Sequence, residues 1–266
     1  MTSEVFNGRR FGAWFKYDIT QLWRSQMKAA LGIGLSGLIL YALIVSYNLI
    51  TGQGWCGPSG QGRVIVFVFA LLVLELRQTR TYGFLTEKSQ GSAWLMTPAS
   101  TLEKWTSMII NTLIIIPVLF FVVYFGVDWL LCTVDHSCGT AMISTFWNAF
   151  TDYKAATEGG AAYIGVGSAI WLLIASFCVN FLYFLLCGLC FKKHKILYGL
   201  AITFALSMIF SLIFGQVFGM DMDASNYMVD GAKAAQSAVT WFSVVTTILA
   251  VGLAGGIYYR LKTIKH

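Results

Sequence analysis

The chain has 266 residues, of which 57% are hydrophobic and 11% charged, against roughly a quarter charged in soluble domains. Its net charge of +6 lies in short clusters between long apolar runs, which excludes a nucleic-acid partner and points to a polytopic membrane protein. His136, His194 and His266 have no metal-ligand neighbours at useful spacing, and H-E-x-x-H, G-x-S-x-G and P-loop patterns are absent, so no catalytic or metal constellation emerges.

Residues 9–27 carry Phe11, Trp14, Phe15, Ile19, Leu22, Trp23 and Met27 at helical spacing, with Arg10, Gln21, Arg24 and Lys28 opposite. Two tryptophans beside basic residues suit a membrane interface. Residues 1–28 are therefore expected to form an amphipathic helix on the cytoplasmic surface, with Asp18 interrupting its apolar face. A first span is predicted at 29–50. It contains Gly32-Ile33-Gly34-Leu35-Ser36-Gly37, a literal G-x-G-x-x-G with no strand before it, which reads as small residues that let helices approach. A Gly-rich stretch with Pro58 leads to a second span at 60–78. Its clean apolar run, 64–74, is short against the ~20 residues that a crossing helix needs.

Residues 82–104 form the longest inner segment. Pro98 keeps Thr97 out of helical geometry, and Ser100 with Glu103 spells a capping box, so a helix is expected to start just after Ser100. The third span, 105–131, carries Pro117 near its middle, where a kink is expected. In the long outer segment that follows, Met142, Ile143, Phe146, Trp147, Phe150 and Tyr153 repeat at helical spacing and predict a second interfacial helix. Cys132 and Cys138 would close a small loop there if that compartment oxidises. Cys187 and Cys190 spell C-x-x-C inside an apolar helix and read as core residues. The fourth span is 161–191, followed by a tight inner turn at Lys192, Lys193, His194 and Lys195. The fifth is 196–220, an acidic outer loop is expected at 221–236, and the sixth, 238–259, has Gly252 and Gly256 as a packing face.

Fifteen of the eighteen Lys and Arg residues lie before 29, between 76 and 105, between 191 and 196, and after 259; Arg63, Lys154 and Lys233 are the others. This alternation predicts an all-α polytopic membrane protein with six transmembrane helices, both termini inside, and one membrane domain at 29–266 behind the surface helix. Glu75 and Asp128 sit near span ends, so no charge near the midplane marks an ion pathway. The uncharged polar residues within spans are Asn111, Ser176, Asn180, Ser207, Ser211 and Gln216. They are candidates for lining a translocation path, with interhelical hydrogen bonding as the competing role.

Three blocks carry a family resemblance: Phe6-Asn7-Gly8-Arg9-Arg10-Phe11, Leu95-Met96-Thr97-Pro98-Ala99-Ser100-Thr101-Leu102-Glu103-Lys104, and Cys190-Phe191-Lys192-Lys193. Together with the layout they resemble the permease subunit of a bacterial type-2 ABC exporter, Thr97 being one residue extra in the L-x-P-A-S-x-x-E-K pattern. The resemblance implies a coupling segment within 82–104 that docks on a separate ABC ATPase, with Glu87, Lys88, Pro98, Ser100, Glu103 and Lys104 as its residues. It also implies a second permease subunit, ATP and magnesium held by the ATPase, no cofactor or metal in this chain, and residence in the lipid bilayer of the cytoplasmic (inner) membrane. The layout departs from many such exporters, whose larger outer segment lies between spans five and six; here it follows span three. Two other readings stand beside this one: a non-transporting membrane scaffold or accessory subunit, and an ion-coupled carrier, which the missing midplane charge disfavours.

Overall fold

In a computed structural model of the chain, the described residues are 6–86, 91, 94, 96–158, 165–218 and 227–263; for 25, 155–158, 209–218 and 227–235 the description covers the backbone alone. Among the described residues, every regular element is helical. The first helix, α1 (Gly8–Leu22), begins where it does because Asn7 caps it: its side-chain oxygen accepts from the Arg9 and Arg10 N–H groups at 3.1 and 3.5 Å. The chain continues without a break through a wide π turn, Trp23–Met27, into α2 (Lys28–Gly34) and then α3 (Ser36–Ile50). Helix α4 (Gly60–Thr81) has 22 residues, about 33 Å at the usual rise, so the short apolar run at 64–74 lies within a longer helix.

After a single 3₁₀ turn at Gly83–Thr86, and helical backbone at the described residues 91, 94 and 96, comes α5 (Thr101–Ile110), opened by the expected capping box: Ser100 Oγ accepts from Glu103 N, and the Glu103 carboxylate accepts from Ser100 N. A second π turn, Asn111–Ile115, joins α5 to α6 (Ile116–Val134). The predicted irregularity at Pro117 is therefore a widened turn just ahead of it. Proline has no N–H for the carbonyl one turn back, and a wide turn there accommodates its ring.

Helix α7 (Met142–Glu158) realises the second predicted amphipathic helix, with Ile143, Phe146, Trp147 and Phe150 exposed. It is followed by α8 (Val166–Cys190), α9 (Lys195–Phe218) and α10 (Tyr227–Thr263). The loop expected at 221–236 is corrected over its second half: from Tyr227 onward the chain is already helical. Ala232, Lys233, Ala234, Ala235 and Gln236 are strong helix formers, which outweigh the acidic and polar character that suggested a loop. Residues 219–226, and 161–164 at the start of the predicted fourth span, lie outside the described residues.

Four helices among the described residues are long and apolar enough to cross a membrane: Lys28–Ile50, Thr101–Val134, Val166–Cys190 and Gln236–Thr263. Helix α4 has the length but carries Arg63, Glu75, Arg77 and Arg80, and α9 contributes a shorter apolar helix over Lys195–Met208. The 34 residues of Thr101–Val134 reach about 51 Å, well beyond a ~30 Å hydrocarbon core, so the polar start at Glu103, Lys104 and Ser107 has length to project.

The chain forms two compact units. One comprises Met1–Thr81 and Thr97–Asp152 and the other Tyr82–Met96 and Tyr153–His266. In the first, α2, α3 and α4 pack with α6. Gly34 makes this approach feasible, because a β-carbon there would lie 2.9 Å from Val123 Cγ1; Gly32, by contrast, faces open space. Phe67 on α4 is surrounded by Phe120, Phe121, Tyr124, Phe125 and Phe146, with ring centroids 5.2–6.2 Å away. In the second unit α8 lies along α10, burying Phe181, Leu185, Leu189 and Ile257. Gly256 faces Leu186, whereas Gly252 meets nothing, so half of the predicted glycine face is used. The α8–α9 turn at 191–194 puts His194 at φ 49, in the left-handed region, and lets Lys195 Nζ donate to the carbonyl of Gly83 and, at 2.9 Å, to Thr86 Oγ1.

Candidate coupling site

The two motif blocks near residues 7 and 100 meet in space. Glu103, fully buried, is the hub. Its carboxylate accepts from Asn7 N at 2.9 Å, from Ser100 N at 2.9 Å, and from the Arg10 guanidinium through Nε at 2.8 Å and Nη2 at 2.8 Å. One side chain thus caps α5 and ties α1 to it. The Glu103 bond, ahead of the cost of burial, holds the Arg10 guanidinium above its ordinary pKa. Lys104 is buried beside this hub, donating to the Thr97 carbonyl at 3.1 Å with its ammonium 5.5 Å from the ring centre of Trp14.

One turn along, Asp18 makes the second tie between the same helices. It is 1% exposed, accepts from the Ser107 hydroxyl, and accepts from Asn111 Nδ2 at 2.8 Å. The acid that interrupts the apolar stripe of α1 is therefore matched by polar partners on α5 and the π turn after it. Trp14 and Leu22 complete the buried face, while Phe6, Tyr17 and Trp23 remain exposed. Helix α1 presents one side to protein and keeps aromatic residues free for an interface.

Of the residues assigned to the coupling segment, Ser100, Glu103 and Lys104 come together in this hub with their side chains inward, and Pro98 is exposed just before it. Glu87 and Lys88 lie outside the described residues. The segment 82–104 divides between the units: Tyr82 and Trp94 are buried in one with ring centroids 6.3 Å apart, and Thr97 onward belongs to the other. Of the path-lining candidates, Asn111 is fully buried and committed to Asp18; Ser176 is half-buried and Asn180 exposed on α8. Ser207 donates to the Phe204 carbonyl of its own helix, and the side chains of Ser211 and Gln216 lie outside the described residues.

Sequence reasoning missed a second buried ion pair. Arg63 Nη1 donates to Asp128 Oδ1 at 2.8 Å, and Nη2 donates to the carbonyls of Cys138 and Thr140 at 2.8 and 2.9 Å. Asp128 Oδ2 accepts from Met142 N, which starts α7, at 2.7 Å. Both side chains are less than a tenth exposed. Nearby, Asp135 accepts from Ser137 N, Tyr41 Oη and Trp55 Nε1, and hydrogen bonding from Ser137 above all pulls its carboxyl down to about 2. The pairing signal was one unmatched Arg and one unmatched Asp at the outer ends of neighbouring predicted spans.

No protein family, curated protein or solved structure matches the chain.

Proposed function

We propose that the chain is the transmembrane permease subunit of an ATP-driven exporter, with six spans, both termini inside, a second permease completing the path and separate ABC ATPase chains beneath. The observation that supports this reading most is the α1–α5 junction. The two sequence blocks that carry the resemblance are bonded to each other through Glu103, at the start of a 34-residue helix long enough to cross the bilayer. A coupling device needs such a joint, since a displacement delivered to a flexible connector dissipates before it reaches a span. The helices α4 and α9 supply the second and fifth spans of this reading, the charges of α4 sitting towards its ends or paired as Arg63 is with Asp128.

The test is purification of the tagged chain from native membranes, followed by identification of what accompanies it. An ABC ATPase should co-purify. Charge reversal at Glu87 or Lys88 should weaken that association, and Ser100→Ala combined with Glu103→Ala should lower partner-stimulated ATP turnover at near-normal abundance. If no ATPase accompanies the chain and the substitutions change nothing, the scaffold reading takes its place.

A further inference from the structure

The outer ends of α4 and α6 gather two of the chain's six cysteines around one guanidinium, that of Arg63. Cys132 lies in the last turn of α6 and Cys138 ends the 3₁₀ turn at His136–Cys138, so the chain has doubled back between them. Both are free thiols and both are buried. Arg63 holds the pair from a third element: Nη1 donates to Cys132 Sγ at 2.9 Å while Nη2 donates to the Cys138 carbonyl at 2.8 Å. From the other side Gly57 closes over Cys138, where a β-carbon would lie 2.5 Å from Sγ, and Gly57 N donates to Ser137 Oγ at 2.8 Å. Cys56, adjacent in sequence, is exposed.

We propose that Cys132 and Cys138 form an intrachain disulfide in the mature protein, a modification that staples the end of α6 to the segment leading into α7. The proposal rests on the topology above, which places both residues on the outer, oxidising side. The step is thiol–disulfide exchange with an oxidant that itself carries a disulfide. One cysteine thiolate attacks that disulfide, forming a mixed disulfide and releasing one oxidant thiolate. The second cysteine thiolate then attacks the mixed disulfide, forming the Cys132–Cys138 bond and releasing the other oxidant thiolate. Both cysteine protons end on the two oxidant thiols, so two thiols are oxidised and one disulfide is reduced. Burial raises the Cys138 thiol to about 11, so the folded site is a poor nucleophile. Oxidation therefore belongs to the interval after translocation and before Gly57 and Arg63 close over the sulfurs. Once made, the bond is shielded from soluble reductants.

The test is thiol counting on the full chain from native membranes, denatured in excess N-ethylmaleimide. Six cysteines with one bridge give four adducts before reduction and six after; six adducts without reduction overturn the proposal. Asp135 lies between the two cysteines, so cleavage before aspartate separates them, and a disulfide-linked peptide pair assigns the bridge directly. A linked pair containing Cys56 instead overturns it. Mild reduction before denaturation should leave the count at four. Lys154→Cys in a variant lacking the native cysteines, probed with a membrane-impermeant maleimide, separates the two claims. External labelling with six native adducts removes the bridge alone, whereas no labelling with six adducts removes the topology and the bridge together.

Discussion

Replacing Glu103 by alanine should release α1 from α5 without unfolding the membrane domain. The substitution strips the Asn7 and Ser100 N–H groups of a charged acceptor at 2.9 Å each. At roughly 1.5 kcal/mol per bond, the lower end for hydrogen bonds to charged groups, the loss is about 3 kcal/mol. Of these two bonds only that of Asn7, about 1.5 kcal/mol, ties α1 to α5; with every 1.4 kcal/mol worth tenfold, local opening of Gly8–Leu22 should become about tenfold more frequent. Hydrogen exchange on the detergent- or nanodisc-embedded chain reads this as faster exchange over α1 and the first turn of α5, with α8 unchanged. Arg10→Ala should produce a smaller effect, because the carboxylate keeps both backbone donors and the Arg10 side chain is already 30% exposed. Exchange over α1 that does not change in Glu103→Ala, or that rises more in Arg10→Ala, would refute the hub.

The Arg63–Asp128 pair should behave as a buried ion pair. Arg63→Met or Asp128→Leu alone should cost about 3–5 kcal/mol and lower Tm sharply, while the double variant recovers part of the loss; simple additivity would count against it. Engineered cysteines at 154 and 233 should label from outside and those at 88 and 193 should not, and external labelling at 88 would sink the topology. The depressed Asp135 carboxyl stabilises the loop it joins to Tyr41 and Trp55 at pH values above its ordinary range near ~4, and that contribution disappears as pH falls towards about 2. Tryptophan emission should show an acid transition with a midpoint near 2 that Asp135→Asn lacks; a midpoint near 4 would refute the assignment.

What could be read from the sequence was what short-range physics determines. The capping box at Ser100 and Glu103 spans three residues, and both amphipathic helices repeat within two turns, so local spacing identifies them. Glu103's bonds to Asn7 and Arg10 join residues more than ninety apart, and nothing local announces them. Asp18 did leave a trace: a buried acid inside an apolar stripe requires donors on whatever the stripe covers, and those are Ser107 and Asn111. The loop expected at 221–236 gives way to helix from Tyr227 onward for the opposite reason. Charge and position outweighed an alanine-rich run whose helix propensity should have been given more weight.

The two π turns carry a lesson about length. Each holds one residue more than an α-helical turn would, at Trp23–Met27 in the passage from α1 to α2 and at Asn111–Ile115 in the passage from α5 to α6. Deleting a single residue from Asn111–Ile115 would let the backbone relax into an unbroken α-helix with better-aligned hydrogen bonds. Because the widened turn already absorbs the extra residue, the helix beyond it would keep nearly its present orientation, with Asp128 still against Arg63 and Val123 still in the notch at Gly34. The same deletion inside the regular part of α6, ahead of Val123, would instead turn everything beyond it by about 100° and draw it back about 1.5 Å. Loss of one residue should thus be tolerated within these turns and not in the helices that flank them.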